Sequence, residues 1–313
     1  MTAIIKWDGK PVSKPGWYSG ISIEKYHSAG ICVGKAVSSS NLRTCRKHSP
    51  AKMFAEWCEN EKAEPRKPTG EMQLGSAAHH LLLGESHFWR RYIKRPETYP
   101  DKKTGEPKPW HNGAGFCQAW HLKQLRAGLI PVTVADLETI LAMSRSLALE
   151  PIVKVGLLSG HVEISGFAID TETGLWLKVR PDVWPTGGGE FVDLKTTQEV
   201  IFPALSSAIF NYGYHQQAAL VLQVCEALGQ PFESFTCMFV ETDVPYSCWP
   251  APLDEYDIGL GAMQNRAQLR KIALALAADH WPGPFDGHLR PVPISNANRE
   301  RILVELRYEG ILE

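Results

Sequence analysis

Val179-Arg180-Pro181-Asp182 and, beyond a turn marked by Gly187-Gly188-Gly189, Phe191-Val192-Asp193-Leu194-Lys195 decide the reading of this chain. Side chains alternate faces along a strand, so Asp193 and Lys195 project to one side. Val192 and Leu194 turn to the other, into a core. The glycine turn makes the two segments a hairpin that brings Asp182 beside Asp193. An acid and a lysine two residues apart at a strand end supply one metal ligand and one cation that positions water. Two carboxylates with water and phosphate oxygens suit Mg2+, a hard cation that binds few protein ligands and keeps several waters. An isolated Asp-x-Lys is most often a surface ion pair, so the flanking residues carry the weight of this reading.

Outward from the hairpin, residues 161–169, 175–180 and 191–194 read as three strands, the first two joined by a turn at Thr173-Gly174. Glu163 stands between Val162 and Ile164, which alternation sends to the face opposite its own. Residues 203–228 read as one long helix, on which Tyr214 and Gln217, three apart, share a face. A fourth strand is expected at 234–241 and a further helix at 258–278. Upstream, residues 1–37 read as an irregular, Gly- and Pro-rich arm. Ser38-Ser39-Ser40-Asn41 offers N-cap chemistry to a helix over 42–60. Residues 61–69 read as a loop. A buried helix over 71–83, ended by Gly84, carries His79 and His80. Taken alone, His79 reads as a core histidine; His80 and His215 are assigned to structure. Residues 96–115 are expected to be mobile, with helices near 115–127 and 133–149. Helices, a strand meander, a crossover helix and another strand make a mixed α/β core. The expected layout is one domain over 1–313: the arm 1–37, the core 38–245 with its meander and helix at 160–245, and a helical extension 246–313.

The chain has 313 residues with 44% hydrophobic content, enough for a substantial core. No apolar run approaches the roughly 18–20 residues that span a bilayer. The N-terminus is too polar for a secretory signal, which points to a cytoplasmic protein with no membrane association. Seven cysteines, at 32, 45, 58, 117, 225, 237 and 248, form no CxxC pair and read as reduced, buried thiols rather than a metal cluster. Net charge is −1, so only local patches point to nucleic acid. One patch holds Arg43, Arg46, Lys47, His48 and Lys52; the other holds Arg90, Arg91, Lys94 and Arg95. A solvated helix face explains either one equally well.

A set of short motifs stands in a fixed order along residues 17–245. They are Tyr26-His27, Ser38-Ser39-Ser40-Asn41-Leu42 and Ser49-Pro50; Leu74-Gly75-Ser76-Ala77-Ala78-His79; Gly174-Leu175 leading to Val179-Arg180-Pro181-Asp182; Val192-Asp193-Leu194-Lys195-Thr196-Thr197; and Tyr212-Gly213-Tyr214-His215-Gln216-Gln217-Ala218-Ala219. In that order they resemble the RecE-type exonucleases, the exonuclease VIII nuclease family, within the PD-(D/E)-x-K superfamily that includes phage lambda exonuclease. The resemblance implies a restriction-endonuclease-like core, a mixed central sheet flanked by helices. It implies a Mg2+-dependent (or Mn2+-dependent) exonuclease acting 5′-to-3′ on double-stranded DNA ends, leaving 3′ single-stranded tails for recombination by strand annealing. By the same resemblance Asp182 and Asp193 hold the metal with the carbonyl of Leu194, and His79 and Glu163 complete the site directly or through water. Lys195 orients and helps deprotonate the attacking water, while Gln217 and Tyr214 position Lys195 or substrate. Arg43, Arg46, Lys47 and Arg180 are the expected DNA contacts. Expected partners are a single-strand annealing protein and further copies of the chain in a ring.

Two departures stand out. Val221 occupies the place, four residues after the glutamine, where related nucleases often carry tyrosine, and residues 96–130 match no known piece. The alternatives are an endonuclease or a CRISPR-adaptation-like exonuclease on the same core, the latter disfavoured by the scattered cysteines. From other classes come a catalytically inactive DNA-binding or assembly module, and a small-molecule Mg2+ hydrolase. The intact Asp182, Asp193 and Lys195 argue against the inactive module.

Overall fold

The computed structural model describes residues 3–63, 70–83, 88–185, 188–285, 289 and 291–312. The chain begins with β1 (Ile4–Lys6), β2 (Gly16–Ser19), α1 (Ile23–Tyr26), β3 (Ala36–Ser38), α2 (Ser39–Lys47), α3 (Pro50–Glu56) and α4 (Gly70–Leu82). Then follow α5 (Phe88–Arg91), β4 (Tyr92–Lys94), β5 (Thr98–Pro100), β6 (Pro107–Pro109), α6 (Gly115–Arg126), β7 (Ile130–Val132), α7 (Val134–Leu149) and α8 (Pro151–Lys154). Next are β8 (His161–Val162), β9 (Ser165–Ile169), β10 (Trp176–Val179), β11 (Val183–Trp184), β12 (Glu190–Thr197), α9 (Phe202–Tyr212) and α10 (Tyr214–Leu228). The last elements are β13 (Ser234–Glu241), β14 (Cys248–Pro252), α11 (Glu255–Ala278) and α12 (Asn296–Tyr308). This is a mixed α/β architecture, as expected.

Two five-stranded sheets organise the molecule. The first has the order β1-β2-β9-β10-β3 and the second β14-β13-β12-β11-β8. Each mixes parallel and antiparallel pairs: β12 runs parallel to β13 over Glu190–Thr197 against Ser234–Glu241, and antiparallel to β11 through Val183 and Val192. On β12 and β13 the inward residues alternate. Val192, Leu194, Met238 and Val240 pack on Ala77 and Ala78 of α4 and on Ile140, Met143 and Leu147 of α7. Phe191, Phe235, Cys237 and Phe239 face the other way, toward α10 and α11. The second sheet is therefore covered on both faces, and α10 also reaches Ala168 and Leu177 of the first sheet.

The arm is ordered rather than irregular, and contributes β1, β2 and β3 to the first sheet. Trp17 explains why. It is fully buried and lies 5.3 Å from the Trp184 ring and 5.7 Å from the Phe191 ring, so it cements one sheet to the other. A buried indole of this kind contributes on the order of 3–5 kcal/mol against truncation.

Other expectations are corrected by local backbone chemistry. The helix expected over 42–60 is two helices. Ser49 accepts a bond from the Lys52 amide and Pro50 opens the second helix, since a proline tolerates the first turn and breaks an interior. Ser38 does serve as N-cap of α2, its amide donating to Asn41 Oδ1 at 2.9 Å. The helix expected over 203–228 breaks at Gly213, whose φ of 66° is left-handed. Residues 96–115, expected to be mobile, contain secondary structure. They hold the β5–β6 hairpin, whose turn is tied by Asp101 Oδ1 accepting from the amides of Lys103 and Thr104. The strand expected over 161–169 is two strands belonging to different sheets. Gly84, Gly187 and residues 64–69 lie outside the described residues. The seven cysteines are free, five of them buried. Among the described residues, no helix is long and apolar enough to cross a membrane.

Candidate active site

The chain steps directly from one sheet to the other at two places, Glu163-Ile164 and Arg180-Pro181-Asp182. The crossings lie side by side, joined by the Glu163 amide donating to the Asp182 carbonyl at 2.9 Å. Glu163 turns the first crossing with φ +52°, a left-handed conformation that a non-glycine residue adopts at a cost of about 1–2 kcal/mol. Strand alternation fails there. Val162 packs with the core beneath α4 and α7, while Ile164 joins the core beneath α10, instead of both facing one side. Over this seam opens a cleft of about 580 Å3. Its walls come from α1, the start of α2, α4, the two crossings, β12 and α10.

Asp182 sits at the seam and is held from two directions. Its Oδ2 accepts the Leu194 amide at 2.7 Å and lies 3.2 Å from His79 Nδ1 on α4. In an extended strand the amide and carbonyl of one residue share an edge, so the Leu194 carbonyl lies on the Asp182 side of β12. Burial works to raise the Asp182 pKa. The charge and hydrogen bond of His79, then Lys195 and the Leu194 amide, outweigh it and hold the carboxyl below the usual range. Burial likewise pulls His79 down, but Asp182, by charge and hydrogen bond, lifts it above its ordinary value. The two form a mutually stabilised pair.

Asp193 is 3% exposed. One carboxylate oxygen accepts from Gln217 Nε2 at 2.6 Å and the other is ion-paired with Lys195 Nζ. Lys195 also donates to Gln217 Oε1 at 3.2 Å, and its ammonium lies 4.4 Å from the centre of the Tyr214 ring. Gln217 thus clamps the acid with one amide atom and the lysine with the other, and Tyr214 supports the cation from the same helical face. Burial, then the neighbouring Asp182 charge, raise the Asp193 pKa, and Lys195 only partly offsets them. For Lys195 burial acts downward, but Asp193 and its neighbours raise the pKa and keep it an ammonium.

The remaining expected residues divide. Glu163 lines the cleft, but its carboxylate is engaged by Arg180 at 2.5 Å. Arg180 lines it too, and also donates to the Ile21 carbonyl and to Ser165 Oγ. Arg43 reaches the cleft and donates to the Tyr212 carbonyl at 2.6 Å. Arg46 and Lys47 are not among its lining residues. Arg46 donates to Gln216 Oε1 and lies over the Phe210 ring, and Lys47 is exposed. His215 is structural, its ring bonded to Gln264 and the Ile209 carbonyl. Val221 lines the cleft. Cleft residues left out of the expected site are Tyr26, Ser38, Ser39, Ser40, Ser76 and Arg91. Tyr26, Ser38, Ser39, Ser40 and Ser76 stood in the ordered motifs and Arg91 in the second basic patch, but neither gave them a role in the site.

The donor set is two carboxylates, Asp193 buried and Asp182 half-buried, and the charge of Asp182 raises the pKa of Asp193. Among the described residues, no three or more His, Cys, Asp and Glu side chains converge into a metal cage. The set is two acids rather than a cage of three or more ligands. It fits a hard divalent cation bound by one or two carboxylates, with the rest of its sphere left to water and substrate oxygens.

No protein-family model and no curated protein matches this chain. Among solved structures, it is similar to a crystal structure described as a "Putative exonuclease" from Eubacterium rectale, with a TM-score of 0.57 at 12% identity. That likeness covers 90% of this chain and 98% of the other, so the two share a fold over nearly their whole lengths.

Proposed function

We propose that this chain is a nuclease of the PD-(D/E)-x-K type, a Mg2+-dependent exonuclease of the RecE kind that degrades double-stranded DNA from its ends. The observation that carries the reading is the arrangement at the seam: Asp182 held by His79 and Leu194, and Asp193 held with Lys195 by Gln217. The fold shared with a protein described as an exonuclease supports it.

Asp182, Asp193 and the Leu194 carbonyl would hold Mg2+ or Mn2+. When bound, the cation lowers the pKa of a coordinated water and stabilises charge on the phosphate oxygens. The chain's own residues do the rest. His79 is tied to Asp182 and orients it; it and Glu163 would meet the ion directly or through water. Lys195, held as an ammonium, donates to the attacking water or a phosphate oxygen rather than accepting a proton. Gln217 fixes the spacing of Asp193 and Lys195. Arg43 and Arg180 supply positive charge along the cleft wall. In this reading cleavage runs 5′-to-3′ and leaves 3′ single-stranded tails for an annealing protein in the cytoplasm. Copies of the chain enclose the duplex as a ring.

The test is degradation of matched linear and covalently closed plasmids in Mg2+, with particle mass measured in solution. The linear form should disappear and the closed circle survive; EDTA should protect the linear form as well. Rapid cutting of the closed circle by a monomer replaces the exonuclease reading with an endonuclease. No cutting of either substrate in Mg2+ or Mn2+ refutes the nuclease reading.

A further inference from the structure

We propose that residues 88–132 form a single-stranded DNA-binding module that adjoins the candidate active site. This rests on the nuclease reading, and names which part of the substrate the insert takes. The segment carries nine lysines and arginines against three acids, a net +6, in a chain of net −1; the rest of the molecule is therefore −7. The whole-chain charge hides a strongly basic unit. Within it, Lys108 pairs with Asp101, and Arg91 with Glu24. Arg90, Lys94, Lys102, Lys103, Lys123 and Arg126 are exposed and form no ion pair among the described residues.

Aromatic rings are interleaved with these cations. Trp89 is 59% exposed and Phe116 is 42% exposed. Arg95 lies 5.5 Å from the Trp110 ring centre, Trp110 meets Trp120 edge-on at 5.3 Å, and Tyr99 stacks on Phe116. Basic side chains that follow a backbone, beside ring faces that accept unstacked bases, are the requirements for single-strand binding.

The module is rooted at the cleft. His80 lies next to His79 on α4, and its ring is 5.6 Å from that of Tyr92, which stacks on Phe88 at 4.7 Å. Arg91 and Tyr92 line the cleft itself. β4 then leads out from Tyr92 into the hairpin and α6, and β7 returns in parallel beside it. A strand separated at the active site meets this surface as it leaves.

The experiment uses the full chain in EDTA, where cleavage is silent. Anisotropy of a fluorescein-labelled oligothymidylate of about 20 nucleotides is compared with that of a duplex of equal length. Lys94→Glu/Lys102→Glu/Lys103→Glu should weaken oligothymidylate binding at least tenfold. It should also lower the slope of log affinity against log salt by about 2, since each single-strand phosphate contact contributes roughly 0.7. Trp89→Ala should weaken the same binding roughly tenfold and leave the duplex nearly unaffected. All these positions are exposed, so melting temperatures should hold. Unchanged oligothymidylate affinity in both variants overturns the proposal and leaves the surface as a protein-docking face. Loss confined to the duplex overturns the single-strand assignment. Hydrolysis of thymidine 5′-(p-nitrophenyl phosphate) in Mn2+ reads the active site alone. If the wild type lacks it while oligothymidylate binding behaves as expected, the nuclease reading fails and the module stands.

Discussion

Replacing Asp193 with asparagine separates what the site does for the fold from what it does for chemistry. In the wild type the ionised carboxylate is buried beside Asp182, and its pKa is raised by burial and then by that charge. A raised carboxylate binds its proton more tightly folded than unfolded. It therefore costs stability as pH rises from about 3.9, the unfolded value, to its folded pKa, and the full cost persists above that. Asparagine removes this cost. Against the gain, its amide presents N–H where Lys195 had an oxygen, losing a charge-assisted bond worth about 1.5–3 kcal/mol. The two effects oppose each other, so the net change at pH 7.5 should stay within about 2 kcal/mol, or about 4 °C in Tm. Activity should behave differently. Loss of a ligand carboxylate should lower kcat at least ~1000-fold, about 4 kcal/mol. A metal titration of Tm without nucleic acid completes the assay. At ten times Kd the wild type should gain about 1.4 kcal/mol, about 3 °C, and the variant nothing. Full activity in the variant, or an equal metal-induced shift, refutes the assignment. A fall in Tm beyond about 8 °C shows the Asp193–Lys195 pair to be a structural clasp.

Lys195→Ala should cut turnover by at least ~100-fold while DNA affinity in Ca2+ stays within about threefold, because an ammonium acting on water in the transition state adds little ground-state binding. His79 has a raised pKa and gives its stabilisation fully below the unfolded value of about 6.5, losing it as pH rises through the folded value. His79→Ala should therefore lower Tm more at pH 6 than at pH 9, and equal losses at both would remove the charged pair with Asp182. Gly213→Ala forces a Cβ into a left-handed residue and within 2.7 Å of Arg43 Cδ. Chemical denaturation should show a loss of about 1–2 kcal/mol. Trp17→Ala should cost about 3–5 kcal/mol on the same assay, and a loss under about 1 kcal/mol would contradict its role between the sheets.

How much was legible depended on the length over which a signal extends. The strand expected over 234–241 is β13 residue for residue, because an eight-residue apolar run holding Phe235, Thr236, Phe239 and Val240 carries a strong strand signal. The Asp182–Asp193 hairpin and the shared face of Tyr214 and Gln217 follow from periods of 2 and 3.6, and both occur. The strands of the arm are three or four residues long, too short for a period to show, and their placement is set by distant partners such as the Trp184 and Phe191 rings that Trp17 packs on. Gly213 was visible, yet a glycine inside an Ala- and Leu-rich run reads as tolerated until its φ is known. Glu163 carried no local signal, since glutamate has no preference for left-handed backbone. Its conformation comes from the crossing between sheets, which is a property of topology.

The place of the site in the fold accounts for its chemistry. A single continuous sheet would pair the main chain of Asp182 and its neighbours on both sides and present alternating side chains to two cores. Here two sheets part at the seam, and the chain leaves extended pairing at Glu163 and again at Pro181. Backbone polar groups, the Leu194 amide among them, are then free to bind side chains instead of strands. Two carboxylates collect where the sheets separate, within reach of α4 on one face and α10 on the other. His79 compensates one acid, and Lys195 the other. The compensation is incomplete, because Asp193 remains shifted toward its protonated form. A buried charge is costly even when paired, and the fold retains this one with Lys195 and Gln217 in support. In the proposed reading, a hard cation entering the cleft would offset that cost, so the same imbalance that weakens the metal-free fold would supply part of the affinity for the metal.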